Sequence, residues 1–312
     1  GDDSTEADAP GMILRLHNEE AQVLDPYVTD LVADSIRTFS ARYQFELREP
    51  VVAELYPEPD DFAVRTSGLP GIGLLGVTFG YLMAMHSPSG RDSDYHWGTT
   101  LWHEMAHVFT LEATNHLVPR WFSEGVSVFE EWSTGPRPGR HVPMHVLDAM
   151  EEDKFLSIVE LDSGFIRPTY QGQVMVSYMQ AGLICQYIDR NWGQQGLVDL
   201  LQLYRDGLDT GEAIAQGLGV SPEAFDGGFK AFIESEFRPT LDALDEWRER
   251  IEAGYEAASD SDWGRAVESS AAAMELYPGY VEEGNAYVLN AKAHEELEQN
   301  EAAIETLEAY WR

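Results

Sequence analysis

The sequence predicts an α+β protein: a small mixed sheet, then a mainly helical stretch, then a helical repeat segment. Three observations carry this. "MILRLH" (12–17) alternates apolar and polar residues, and "PVVAELY" (50–56) and "LLGVTFGYLMAM" (74–85) are β-rich. From His96 onward apolar residues recur at helical spacing almost without interruption. Near the C-terminus "GYEAASDSDWGRAVESSAAAMELYPGY" and "NAYVLNAKAHEELEQNEAAIETLEAYW" align with a shift of about 34 residues.

Taken in order, residues 1–10, "GDDSTEADAP", are polar and expected to be disordered, and they open without a methionine or an apolar signal core, so either a leader has been removed or the sequence starts late. An α/β subdomain is expected over 11–95. Its helix lies in "DPYVTDLVADSIRTFSARY", with Asp25 as N-cap and Pro26 at the first helical position, where a missing N–H costs nothing. The run 69–85 has no charge, but Pro70 and four glycines interrupt it and it is short for a bilayer span, so it reads as buried strands and a turn. "SPSGRDSD" then marks a loop.

A helical subdomain is expected over 96–245, with helices near 97–113, 119–132, 143–152, 173–191, 195–206, 210–217, 222–236 and 240–258. Residues 246–312 form the repeats. Gly254, Ala257, Trp263, Ala266, Ala273 and Pro278 fall at the small, aromatic and proline positions of one unit, and Tyr287, Ala291, His294, Ala303 and Leu307 fall into register in the next. The period and these positions resemble the tetratricopeptide repeat, although Ala291 stands where the consensus has glycine. The resemblance implies a protein partner for this segment.

The chain of 312 residues carries 55 acidic and 20 basic side chains, a formal net charge of -35, and its only lysines are Lys154, Lys230 and Lys292. Nucleic acid is excluded as a partner, because phosphate binding needs a basic stripe, and an anionic membrane surface would repel the chain. Such a surface suits concentrated salt, where screening removes self-repulsion; an ordinary acidic periplasmic or extracellular protein is the other reading. Cys185 is the only cysteine, so neither an intramolecular disulfide nor a thiolate zinc site can form.

The chemistry lies in "LWHEMAHVF" and "PRWFSEGVSVFEEW". On a helix, His103 and His107 project from one face and can reach one zinc ion, while Glu104, turned by about 100°, stands beside the metal, where a base is needed. After the tight "NHLVP" connection a second helix carries Glu124, which can supply the third ligand. His141 and His145 repeat the spacing with no acid between them.

This stretch resembles the gluzincin metallopeptidases, in which HExxH on one helix is completed by a glutamate in a W-x-x-E-G segment on the next. The short gap from His107 to Glu124 is similar to the peptidase-MA-like group, whose members often carry tetratricopeptide repeats. The resemblance covers roughly residues 50–240 and implies a thermolysin-like catalytic domain, zinc held by His103, His107 and Glu124, and Glu104 as base. It implies a tyrosine for the oxyanion, Tyr178 first and Tyr170 second, and Gly76, Val77, Thr78, Phe79 and Gly80 as the edge strand that pairs with an extended peptide or protein substrate. A carboxylate should orient a ligand imidazole, with Glu131 as the choice and Glu130 as the alternative. The function expected is zinc-dependent hydrolysis of internal peptide bonds. The alternatives are a silent peptidase fold that binds a partner through its repeats, and a zinc hydrolase acting on a non-peptide amide or ester.

Overall fold

The computed structural model describes residues 4–9, 11–67, 75–90 and 96–311. The chain forms two compact units, one of Gly1–Arg140 with Phe155–Phe229 and one of His141–Lys154 with Lys230–Arg312.

The first unit contains a five-stranded mixed sheet in the order β1-β2-β3-β5-β4, built from β1 (Ser4–Ala9), β2 (Met12–His17), β3 (Val51–Tyr56), β4 (Gly76–Phe79) and β5 (Leu82–His86). The strands β2, β3 and β5 are parallel, with Met12 opposite Val51 and Val52 opposite Leu82; β1 and β4 run antiparallel at the two edges. Alternation along β2 buries Met12, Leu14 and Leu16. The stretch expected to be disordered is corrected in part: Ser4 to Ala9 pair with the whole of β2, because backbone pairing to an open edge needs no apolar side chain. In the charge-free run, 75–85 supply β4, β5 and a turn in which Gly80 takes φ 65°, and residues 69–74 lie outside the described residues.

The crossover from β2 to β3 is α1 (Asn18–Tyr43), which buries Val28, Val32, Phe39 and Tyr43. It starts earlier than the sequence reading places it. The His17 ring accepts the Glu19 N–H at 3.4 Å and opens the helix, Asp25 accepts from Thr29 Oγ1, and Pro26 sits inside. The helix formers before Pro26 favour this start, and a long helix tolerates one missing bond. A short α2 (Pro59–Ser67) follows β3.

Then come α3 (Trp97–Ala113) and α4 (Arg120–Ser133), α5 (Met144–Glu151), α6 (Leu161–Ile166), α7 (Gln173–Arg205), α8 (Thr210–Ala213) with a π turn over Ile214–Leu218, and α9 (Pro222–Ser259). One break expected from sequence is present and one is absorbed: α7 is two helices that meet at a kink at Gly193 (φ 71°, ψ 179°), whereas α9 runs through Pro239. Phe39 of α1 packs edge-on to Trp102 and Phe109 of α3, at centroid distances of 5.1 and 5.6 Å, which fixes α3 against the crossover helix.

In the second unit, α10 (Trp263–Leu276), α11 (Ala286–Glu296) and α12 (Asn300–Trp311) follow the later part of α9. Trp247, Ala273 and Ala286 form one cluster, with Met144 packed against it, and Ala257, Ala266 and Ala293 form another. The sheet and the helices α3, α4 and α7 share one unit, and 141–154 joins the C-terminal helices of the other through the Arg248–Asp148 ion pair at 2.6 Å and the Met144 contact.

Candidate metal centre

The face of α3 that meets the fold is apolar, with Leu101, Trp102, Met105, Ala106, Val108 and Phe109 buried, so the helix has one seat and its two histidines are aimed by it. Across from them α4 buries Trp121, Phe122 and Val126 and presents Glu124. The result is a triangle of ligand atoms. His103 Nε2 lies 3.1 Å from His107 Nε2, and Glu124 Oε2 lies 3.4 Å from the first and 3.1 Å from the second. Metal bonds of roughly 2.0–2.1 Å in a tetrahedron place neighbouring ligands about 3.3 Å apart, so these edges fit one face of such a site.

The outer atoms are engaged. His103 Nδ1 meets Glu131 Oε1 at 2.5 Å and His107 Nδ1 meets Ser123 Oγ at 2.8 Å. An imidazole that donates from Nδ1 offers a lone pair at Nε2, which is the metal-binding tautomer. Glu124 Oε1 accepts from Tyr178 OH at 3.2 Å and pairs with Arg120 at 3.2 Å, while the buried Oε2 faces the two imidazole Nε2 atoms. Three acceptor atoms converging at 3.1 to 3.4 Å repel one another unless a cation or a proton lies between them. Two imidazoles and a carboxylate are a donor set that zinc takes.

Without a metal, protons take up this tension. Burial disfavours a charged His103, but the acceptors Glu124 and Glu131 outweigh it and raise its pKa well above the ordinary imidazole value. Burial would raise Glu124 too, yet the two imidazoles hold it well below the usual carboxylate range. Tyr178 is pushed up to about 12 by burial and by Glu124, so its phenol is protonated at neutral pH.

The base expected from the sequence also has a seat. Glu104 is buried and lies against β4: Thr78 Oγ1 donates to its Oε2 at 2.6 Å, and a Cβ added at Gly76 would fall 2.6 Å from its Oε1. Only a glycine leaves this room. Val77 and Phe79 alternate to the other face, and Gly80 forms the hairpin turn.

Close helix crossing brings Tyr178 in. A Cβ at Gly125 would lie 2.7 Å from the Ala181 carbonyl oxygen, and one at Gly182 would lie 2.6 Å from Val128, so α4 and α7 approach at small residues one turn from Tyr178. The structure thus brings together His103, His107, Glu124, Glu131, Tyr178 and, beside them, Glu104 with Gly76 and Thr78. Tyr178, not Tyr170, is the tyrosine that reaches Glu124. Glu130 faces elsewhere, bound by Tyr43 OH, by Arg42 at 2.8 Å and by Thr134 at 2.5 Å. His96 caps α3 and His141 pairs with Glu282 at 3.3 Å.

Sequence reasoning missed Ser123, Arg120 and Asp162, the last of which accepts the Trp121 N–H at 2.7 Å where α4 starts without a side-chain cap. Arg120 and Ser123 flank Glu124 closely enough to have been considered; Asp162 carries no local signal.

A family model described as the Peptidase MA superfamily matches residues 88–235, the stretch that holds α3, α4 and α7. That likeness supports a peptidase-like group of the gluzincin type. No curated protein and no solved structure matches the chain.

Proposed function

We propose that this protein is a zinc-dependent peptidase that cleaves internal bonds of extended peptides. The observation that carries the reading is the triangle of His103 Nε2, His107 Nε2 and Glu124 Oε2, with edges of 3.1 to 3.4 Å. Zinc held there would supply Lewis-acid polarisation and acidify a water. The chain's own groups then have distinct tasks. Glu104 takes the proton from the attacking water and returns it to the leaving amine. Tyr178 keeps its proton and can donate to the developing oxyanion once it leaves Glu124. Glu131 fixes the ring of His103.

The edge strand supports the endopeptidase reading. A free α-ammonium is captured by carboxylates, and the run 74–85 contains none. The helical hairpins of the second unit, read as tetratricopeptide-like repeats, would bind a protein partner.

The test loads the protein with zinc and offers it a peptide library with acetylated N-termini. One zinc per chain and cleavage at internal bonds are expected. Glu104→Gln should keep the zinc and lose about 10²–10⁴ in rate. A loaded protein that cleaves nothing would leave the silent fold with binding repeats as the better reading, and one that acts only on free N-termini would overturn the endopeptidase assignment.

A further inference from the structure

Antiparallel pairing spends the peptide groups of alternate residues on the neighbouring strand. The Leu75 carbonyl accepts the His86 N–H at 3.2 Å, and with the register of Val77 opposite Ala84 and Phe79 opposite Leu82 this assigns Leu75, Val77 and Phe79 to the β5 side. Gly76 and Thr78 therefore direct their N–H and C=O groups to the side of β4 away from β5, which among the described residues is an edge of the sheet. These are the same two residues that touch Glu104. Its Oε1 rests over Gly76, and its Oε2 receives the Thr78 hydroxyl at 2.6 Å. That hydroxyl also lies 3.2 Å from the Glu104 carbonyl oxygen, but it has one proton and the shorter contact takes it. With one carboxylate oxygen engaged, the other keeps its lone pairs for a proton.

We propose that Thr78 is the positioning residue for Glu104, so that the residues whose main chain would align a substrate strand also seat the base. The inference rests on the zinc-peptidase reading for its catalytic consequence, and on the Thr78–Glu104 contact alone for its structural one. Removing the hydroxyl while keeping the shape leaves main-chain pairing in place and loosens the carboxylate. Chemistry should suffer and binding should not.

The experiment compares wild type, Thr78→Val, Thr78→Ala and Thr78→Ser, all zinc-loaded, on an acetylated peptide that wild type cleaves. Thr78→Val should lower kcat about tenfold to a hundredfold with KM within about twofold and zinc content unchanged, and Thr78→Ser should restore kcat to within about threefold. A Thr78→Val enzyme with kcat within twofold of wild type, or a Thr78→Ser enzyme as slow as Thr78→Val, would overturn the proposal; Thr78→Ala takes the place of Thr78→Val if the latter does not fold. A second readout needs no activity. In metal-free protein, the unfolding equilibria of Thr78→Val, Glu104→Ala and the double variant should show about tenfold coupling, and additive effects would refute the contact. Wild type that cleaves nothing yet shows this coupling would sink the peptidase reading and leave Thr78 as the partner of Glu104.

Discussion

Gly125 follows Glu124, the proposed third ligand, and its substitution by alanine tests how the site is assembled. The new methyl would sit 2.7 Å from the Ala181 carbonyl oxygen, 2.9 Å from its carbon and 3.0 Å from Cys185 Sγ, and the nearest of these is backbone, which cannot swing away. Restoring ordinary contact requires α4 and α7 to separate by roughly 0.7 Å. Overpacking of this kind costs about 1–3 kcal/mol, or roughly 3–10 °C in melting temperature for a unit of this size. The same displacement acts on Tyr178, one turn before Ala181, whose hydroxyl is already 3.2 Å from Glu124 Oε1. Stretching by that amount takes the contact beyond hydrogen-bond range. Gly125→Ala should therefore lower the melting temperature and also lower kcat, while zinc stays bound, because the three ligand atoms come from α3 and α4 alone. Differential scanning calorimetry, zinc analysis and steady-state kinetics would be run beside Tyr178→Phe. In the double variant the kinetic losses should not add, since both remove one group. An unchanged melting temperature, or kinetic losses that multiply, would refute the crossing as the device that places Tyr178.

Glu131→Gln should weaken zinc binding about tenfold to a hundredfold, measured by chelator competition, because His103 loses its charged acceptor; equal affinity would show that the ring is held by other means. Zinc must displace the proton that the metal-free site keeps on His103, whose pKa is raised, so affinity should rise with pH up to that pKa and level above it, with about a tenfold loss per unit below. Affinity that does not vary with pH would refute this. The net charge of -35 predicts a melting temperature that climbs as NaCl goes from near zero to molar levels; a flat or falling curve would favour the reading of an ordinary acidic protein.

The convergence of His103, His107 and Glu124 was legible because helix geometry is local: two histidines four apart on α3 must share a face, and a carboxylate on the next helix is within reach. Glu131 was legible for the same reason, two turns beyond Glu124. The Thr78 hydroxyl was not, since its contact with Glu104 joins residues 26 apart and depends on how β4 meets α3. In the fold, α3 begins and ends where its apolar period does, whereas the start of α1 was displaced by treating Pro26 as a punctuation mark. The polar composition of residues 4–9 concealed a strand because its pairing is carried by the backbone. The attachment of 141–154 to the second unit was not legible, because it runs through Trp247 and Arg248, about a hundred residues away.

Glu130 and Glu131 are neighbours in sequence and look in different directions, because a helix turns about 100° per residue. One is bolted to Arg42 and Tyr43 of α1, and the other to His103 of α3. Together they act as a key in a keyway, since any roll of α4 about its own axis would tear one side loose or crush the other. The angular setting of Glu124 is thus decided by carboxylates outside the triangle of His103, His107 and Glu124. If zinc binds there as proposed, stripping it with a chelator should leave the helices in register and the seat cut to shape, with no refolding needed for it to return.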